Sequence, residues 1–148
     1  MLKYSACLKL EYRMKRSALL QPLSREHHTA LTLAQACIRA AHSADAAGVC
    51  QACQRAVQAY TKDLEPHFRI EEQSLLPMLT SPATQALVQR TLMEHEQLRG
   101  MLAALQQNEA VALNSFGQYL TAHVRFEERE LFPLIESLLL QKSAPSAP

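Results

Sequence analysis

The chain has 148 residues, with 15 Lys and Arg against 14 Asp and Glu and a net charge of +1, so nucleic acid is not an expected partner. Hydrophobic residues make up 48% but aromatics only 5%, Trp is absent and Gly occurs three times, a palette of helices rather than of a sandwich or barrel. No apolar run approaches the ~18–20 residues of a membrane span, the basic N-terminus lacks a signal peptide's apolar stretch, and Cys7, Cys37, Cys50 and Cys53 form no disulfide framework at this length, so a cytoplasmic protein with reduced thiols and no membrane partner is expected.

Residues 2–14 alternate apolar and polar, from Leu2 and Tyr4 to Tyr12 and Met14. Period two predicts an extended arm, and with no partner strand later in the chain it would need a groove or a second subunit, which opens a homodimer. Helix one is expected to begin near Pro22–Ser24, where Pro suits a first turn and Ser a cap, and to run through Leu31, Ala34 and Ile38 to about Ala41. Ser43, Asp45 and Gly48 mark a turn.

Helix two carries Val57, Tyr60, Leu64, His67, Glu71, Leu75 and Met78, in steps of three and four that describe one inner face. Pro66 should kink it. Ser81-Pro82 reads as the start of helix three, whose stripe is Leu87, Thr91, His95, Leu98, Leu102 and Leu105, with Asn108 as its boundary. Helix four runs from about Ala110 to Leu140 through Phe116, Leu120, His123, Glu127, Leu131, Leu134 and Leu138, and Pro133 should bend or stop it. The expectation is all-α: an up-down-up-down four-helix bundle over residues 22–140, with an N-terminal arm at 1–21 and a frayed tail at 141–148.

The organising feature is a repeat. His67-Phe68-Arg69-Ile70-Glu71-Glu72 and His123-Val124-Arg125-Phe126-Glu127-Glu128 share one pattern, each followed, after two further residues, by Leu, an apolar residue and Pro. A helix stacks the His and the first Glu, four residues apart, on one face. His67 and Glu71 therefore interrupt the core of helix two, His123 and Glu127 that of helix four, and His95 that of helix three, while His27 and His28 both lie near the core face of helix one. Arg69 and Arg125 stand roughly 160° away from the His of their helix. A buried carboxylate without a partner costs several kcal/mol; no Lys or Arg shares these faces, so metal ions are the expected counter-charge. Imidazole and carboxylate without thiolate suit iron, with manganese as the alternative, better than structural zinc.

The His-x-x-x-Glu order, the pseudo-twofold repeat and the bundle together resemble the hemerythrin HHE cation-binding family, over roughly Pro22 to Leu140. The competing di-metal bundle places Glu before His, as Glu-x-x-His, and no such motif faces a core here. The resemblance implies a hemerythrin-like bundle with two iron ions, oxo- or hydroxo-bridged, held by His28, His67, Glu71, His95, His123 and Glu127, and a small-molecule ligand such as oxygen. His28 is preferred because Leu31 follows it by three, as Leu98 follows His95; His27 is the alternative, since Glu26-His27 parallels Glu94-His95. Where oxygen carriers of the family have His-x-x-x-His on helix three, this chain has Arg99. The missing ligand argues against simple oxygen carriage and for redox chemistry, sensing, reaction with peroxide or nitric oxide, or iron handling without turnover.

Glu72 and Glu128 read as surface ion-pair residues, with a role as additional ligands as the alternative. Tyr119, one turn before His123, is expected either beside the ligands or in the plain core. Cys50-x-x-Cys53 lacks the βαβ context of a redox motif and reads as packing, as do Met93 and Met101. No catalytic residue is assigned.

Overall fold

The computed structural model describes residues 16–43 and 45–143; the predicted extended segment at 2–14 and the end of the predicted tail lie outside them. The described residues form a bundle of four helices and include no strand. Helix α1 is Gln21–Ser43, α2 spans 46–78, α3 spans 82–106 and α4 spans 110–143. Asp45 caps α2, its side chain accepting the N–H of Gly48 at 2.8 Å. Ser81 precedes a 3₁₀ turn, Pro82–Thr84, that opens α3. Asn108, between α3 and α4, is left-handed at φ 60°, a conformation Asn tolerates better than most residues. Residues 16–20, assigned to the arm, lie on the bundle, and Leu20 is fully buried.

The prolines neither break α2 at Pro66 nor stop α4 at Pro133. Each helix instead widens to π geometry at Tyr60–Leu64, Glu71–Leu75 and Glu127–Leu131. Every widened turn begins six residues before a proline, Pro66, Pro77 or Pro133. The residue just before each proline donates its N–H five residues back: Glu65 to Tyr60, Leu76 to Glu71 and Phe132 to Glu127. A proline has no N–H to give and its ring crowds the carbonyl four residues back. Opening the turn accommodates both faults, and such π segments are frequent at functional sites. Two of the three start on the repeated Glu.

The apolar interior is divided in two. One cluster contains Ala34, Cys37, Cys53, Phe68, Leu98, Leu105, Leu113, Phe116 and Leu120; the other contains Leu20, Leu23, Leu75, Leu131, Phe132 and Ile135. Between them lies a buried polar layer of His27, His67, Glu71, Glu94, His95, His123 and Glu127. α1 packs most extensively on α4. The approach is close: a Cβ on Gly117 would sit 2.6 Å from the Ala34 carbonyl oxygen and 2.7 Å from Ile38 Cγ1.

Candidate metal centre

Each helix brings one imidazole to the polar layer, and α2 and α4 each add a carboxylate. His67 Nε2 lies 2.8 Å from Glu71 Oε1, and His123 Nε2 lies 3.0 Å from Glu127 Oε1. These are the within-helix pairs that the four-residue spacing sets. The bundle then joins the helices. His27 Nε2 reaches Glu127 Oε2 at 2.8 Å and Glu71 Oε1 at 3.5 Å, and His95 Nε2 reaches Glu71 Oε2 at 3.2 Å and Glu127 Oε1 at 3.3 Å. Two four-residue groups result: His27, His67, Glu71 and Glu127, and His95, His123, Glu71 and Glu127, each with one ligand atom per residue within 4.8 Å of the others. Both carboxylates belong to both groups.

A metal pair fits these residues on an observation of the side chains themselves. Both oxygens of Glu71, Nε2 of His67 and Nε2 of His123 are buried and have no hydrogen-bond partner. The short His67–Glu71 and His123–Glu127 approaches are therefore not hydrogen bonds: the nitrogen and oxygen face a common point rather than each other. A buried polar atom left without a partner costs about 1–3 kcal/mol, more if charged. A cation on which these atoms converge removes that cost.

Electrostatics agree. Burial alone would lower the imidazoles, yet Glu127, Glu128 and Glu71 hold His27 well above its ordinary value. His95 is likewise pushed up to about 10, burial being outweighed by Glu127 and Glu71. Against the burial that would raise them, the imidazoles keep Glu71 lowered and Glu127 well below the usual carboxylate range. The layer thus demands positive charge at its centre, from protons when metal is absent and from metal when bound.

Outside these inner side chains lies a second ring of carboxylates, one per helix, each on the Nδ1 of the His of the following helix. Glu26 of α1 meets His67 of α2 at 2.5 Å. Glu72 of α2 meets His95 of α3 at 2.7 Å, and Glu94 of α3 meets His123 of α4 at 3.2 Å. Glu128 of α4 closes the ring on His27 of α1 at 2.7 Å. A carboxylate on Nδ1–H fixes the tautomer, turns Nε2 inward and makes the ring a better donor to metal. Arginines neutralise three members of the ring. Arg16 binds Glu128 at 2.7 Å, Arg90 binds Glu94 at 2.8 Å, and Arg99 binds Glu72 at 3.0 Å together with Glu65 at 3.0 Å. With Ser24 and Arg16 as further donors, Glu128 is held at about 2.

The structure brings His27, and not the preferred His28, to the carboxylates. His27 is 3% exposed and faces the carboxylates, whereas His28 is exposed on the rim of the bundle. The inner stripe of α1 is Leu23, His27, Ala30, Ala34 and Cys37, while Leu31 is only half-buried. Small residues on that stripe suit the close approach of α1 to α4 at Gly117, and the three-residue spacing to Leu31 that favoured His28 does not mark the inner face. Glu72 and Glu128 are ion-paired as expected, but each also turns inward to a His instead of standing apart from the site. Glu26 and Glu94 were missed as functional residues; the parallel Glu26-His27 and Glu94-His95 pairs carried the signal.

Tyr119 packs half-buried against the main cluster and makes no hydrogen bond to these residues; burial, with Glu94 nearby, raises its phenol. The thiols of Cys37, Cys50 and Cys53 are free. Cys37 is pushed up to about 11, chiefly by burial, which is the opposite of a reactive thiolate. No helix among the described residues is long and apolar enough to cross a membrane.

The family model of the hemerythrin HHE cation binding domain matches residues 18–135. No curated protein and no solved structure was matched.

Proposed function

The chain belongs to the hemerythrin HHE cation-binding domain family, and from that premise we propose that it is a non-haem di-iron protein that binds or reacts with oxygen or a related small molecule such as peroxide or nitric oxide. The observation that supports this reading is the pair of four-residue groups sharing Glu71 and Glu127. His27 and His67 would hold one ion, His95 and His123 the other, with the two carboxylates common to both. Nitrogen and oxygen donors without thiolate suit iron, with manganese the competing metal. Bound iron supplies one- and two-electron chemistry toward a small oxidant.

The protein's part is to hold and shield. Glu26, Glu72, Glu94 and Glu128 fix the four imidazoles by Nδ1. The apolar clusters on either side of the polar layer exclude water along the bundle axis and raise the strength of every charge interaction between them. Phe68 stacks on His95 at 4.1 Å and Phe132 on His27 at 4.9 Å, so the rings cannot tilt freely. Arg99, one turn after His95, leaves the centre and binds Glu72, so α3 supplies a single imidazole. With six candidate protein ligands for two ions, the centre would have room for an exogenous molecule.

Protein purified after expression in iron-replete medium should hold about two iron per chain and, once air-exposed, absorb in the near ultraviolet as a diferric pair. Iron-free protein from such cells would overturn the reading. A second reading, an iron-responsive or storage module without turnover, is favoured by the exposure of one ring carboxylate, Glu26, at 47%. It predicts stoichiometric iron uptake and release with no spectral change on adding oxygen, peroxide or nitric oxide to the reduced protein.

A further inference from the structure

The ring of outer carboxylates is closed but not uniform. Glu72, Glu94 and Glu128 each carry an arginine, and their side chains are 23%, 10% and 29% exposed. Glu26 has no arginine among the described residues and is the most exposed of the four. It lies in a cleft of about 590 Å³ between α1 and α2 that His67 also lines. Behind Glu26, His67 is 2% exposed, with Nε2 unpartnered beside the equally unpartnered Glu71 oxygens. The cleft thus opens from solvent onto Glu26 and His67, and Glu71 stands behind His67, 2.8 Å from its Nε2.

A second cleft, between α1 and α4, reaches His27 but carries no net charge to draw a cation. Arg16 and Arg129 line it, and its two carboxylates are already engaged, Glu128 by Arg16 and Glu136 by the Ser17 backbone N–H at 2.7 Å. The α1/α2 cleft is lined by Glu26, Asp63 and Lys62, a net charge of one negative. Neither cleft is lined by His95 or His123. A net excess of one sign over low-dielectric walls concentrates the opposite ion and speeds its entry.

We propose that the α1/α2 cleft is the loading route for the centre, and that Glu26 is the carboxylate that takes up an incoming divalent cation and passes it to His67 and Glu71. This rests on the metal-binding reading, and the test separates the two. The metal-free full-length protein is mixed with cobalt(II), whose visible absorption changes on entering a nitrogen–oxygen site, and the association rate is followed by stopped flow. Glu26→Gln keeps an acceptor for His67 Nδ1–H but removes the charge.

The expected result is association about tenfold slower, with a weaker dependence on ionic strength and unchanged occupancy at saturating cobalt. Lys62→Glu should load faster than wild type, and Glu136→Gln, in the other cleft, at the wild-type rate. Wild-type loading by Glu26→Gln, an equal slowing by Glu136→Gln, or lost occupancy at saturating cobalt in Glu26→Gln would each overturn the route. A wild-type protein that takes up no cobalt or iron would overturn the metal reading itself.

Discussion

Replacing His27 by Ala tests the reassignment of the helix-one ligand, with His28→Ala as its counterpart. His27 is 3% exposed, with Nε2 2.8 Å from Glu127 and Nδ1 2.7 Å from Glu128. Its loss strips one charge-assisted partner from each carboxylate. Breaking a buried pair costs about 3–5 kcal/mol; Glu127 retains His123 at 3.0 Å and His95 at 3.3 Å, so the lower end, about 3 kcal/mol, is expected for the metal-free protein. At about 2–4 °C per kcal/mol for a domain of this size, the melting temperature should fall by roughly 6–12 °C. The exposed His28→Ala should stay within about 0.5 kcal/mol of wild type. Metal analysis gives the sharper readout. His27→Ala reduces one group to His67, Glu71 and Glu127 and leaves the other complete, so bound iron should drop from about two per chain to about one. His28→Ala should keep both ions. Half-loading in His28→Ala with full loading in His27→Ala would refute the assignment and the packing argument behind it.

Three further outcomes are expected. Glu72→Gln and Glu128→Gln should each weaken metal binding by about 10–100-fold in titrations while leaving saturating stoichiometry unchanged, because each acts through an imidazole rather than on the ion; unaltered affinity in both would count against the ring. Gly117→Ala should lose about 1–3 kcal/mol in urea unfolding, since its Cβ would meet the Ala34 carbonyl at 2.6 Å, and an unchanged midpoint would show that α1 can move away freely. Metal-free protein should be most stable between pH 4.5 and 6.5, the ordinary values of a carboxylate and an imidazole. The raised imidazoles contribute fully below 6.5 and lose that contribution as pH climbs, through about 10 for His95, while the lowered Glu71 and Glu127 contribute above 4.5 and lose theirs as pH falls. Melting curves of chelator-treated protein that rise steadily from pH 6.5 to 9 would contradict that sign.

Much of this molecule is fixed by local periodicity. The stripes of α2, α3 and α4, steps of three and four residues, determine which faces turn inward, and with them the inward placement of His67, Glu71, His95, His123 and Glu127. The short spacing from His to Glu sets the within-helix pairs for the same reason, since one helical turn brings them together whatever the rest of the fold does. What periodicity cannot carry is contact between helices. The choice of His27 over His28 depends on how closely α1 meets α4, which is set by a glycine on the opposite helix. The inward turn of Glu72 and Glu128 depends on which imidazole the neighbouring helix presents. Glu26 and Glu94 became functional residues only when the ring closed across all four helices. The prolines belong to the same class: their spacing from the preceding Glu is plain in the sequence, but only the packed helix, held at both ends by apolar clusters, makes widening less costly than breaking. Sequence therefore determined the fold class and most of the inward-facing His and Glu side chains, and the tertiary structure decided the partners that orient them and the one corner of the ring left open to solvent.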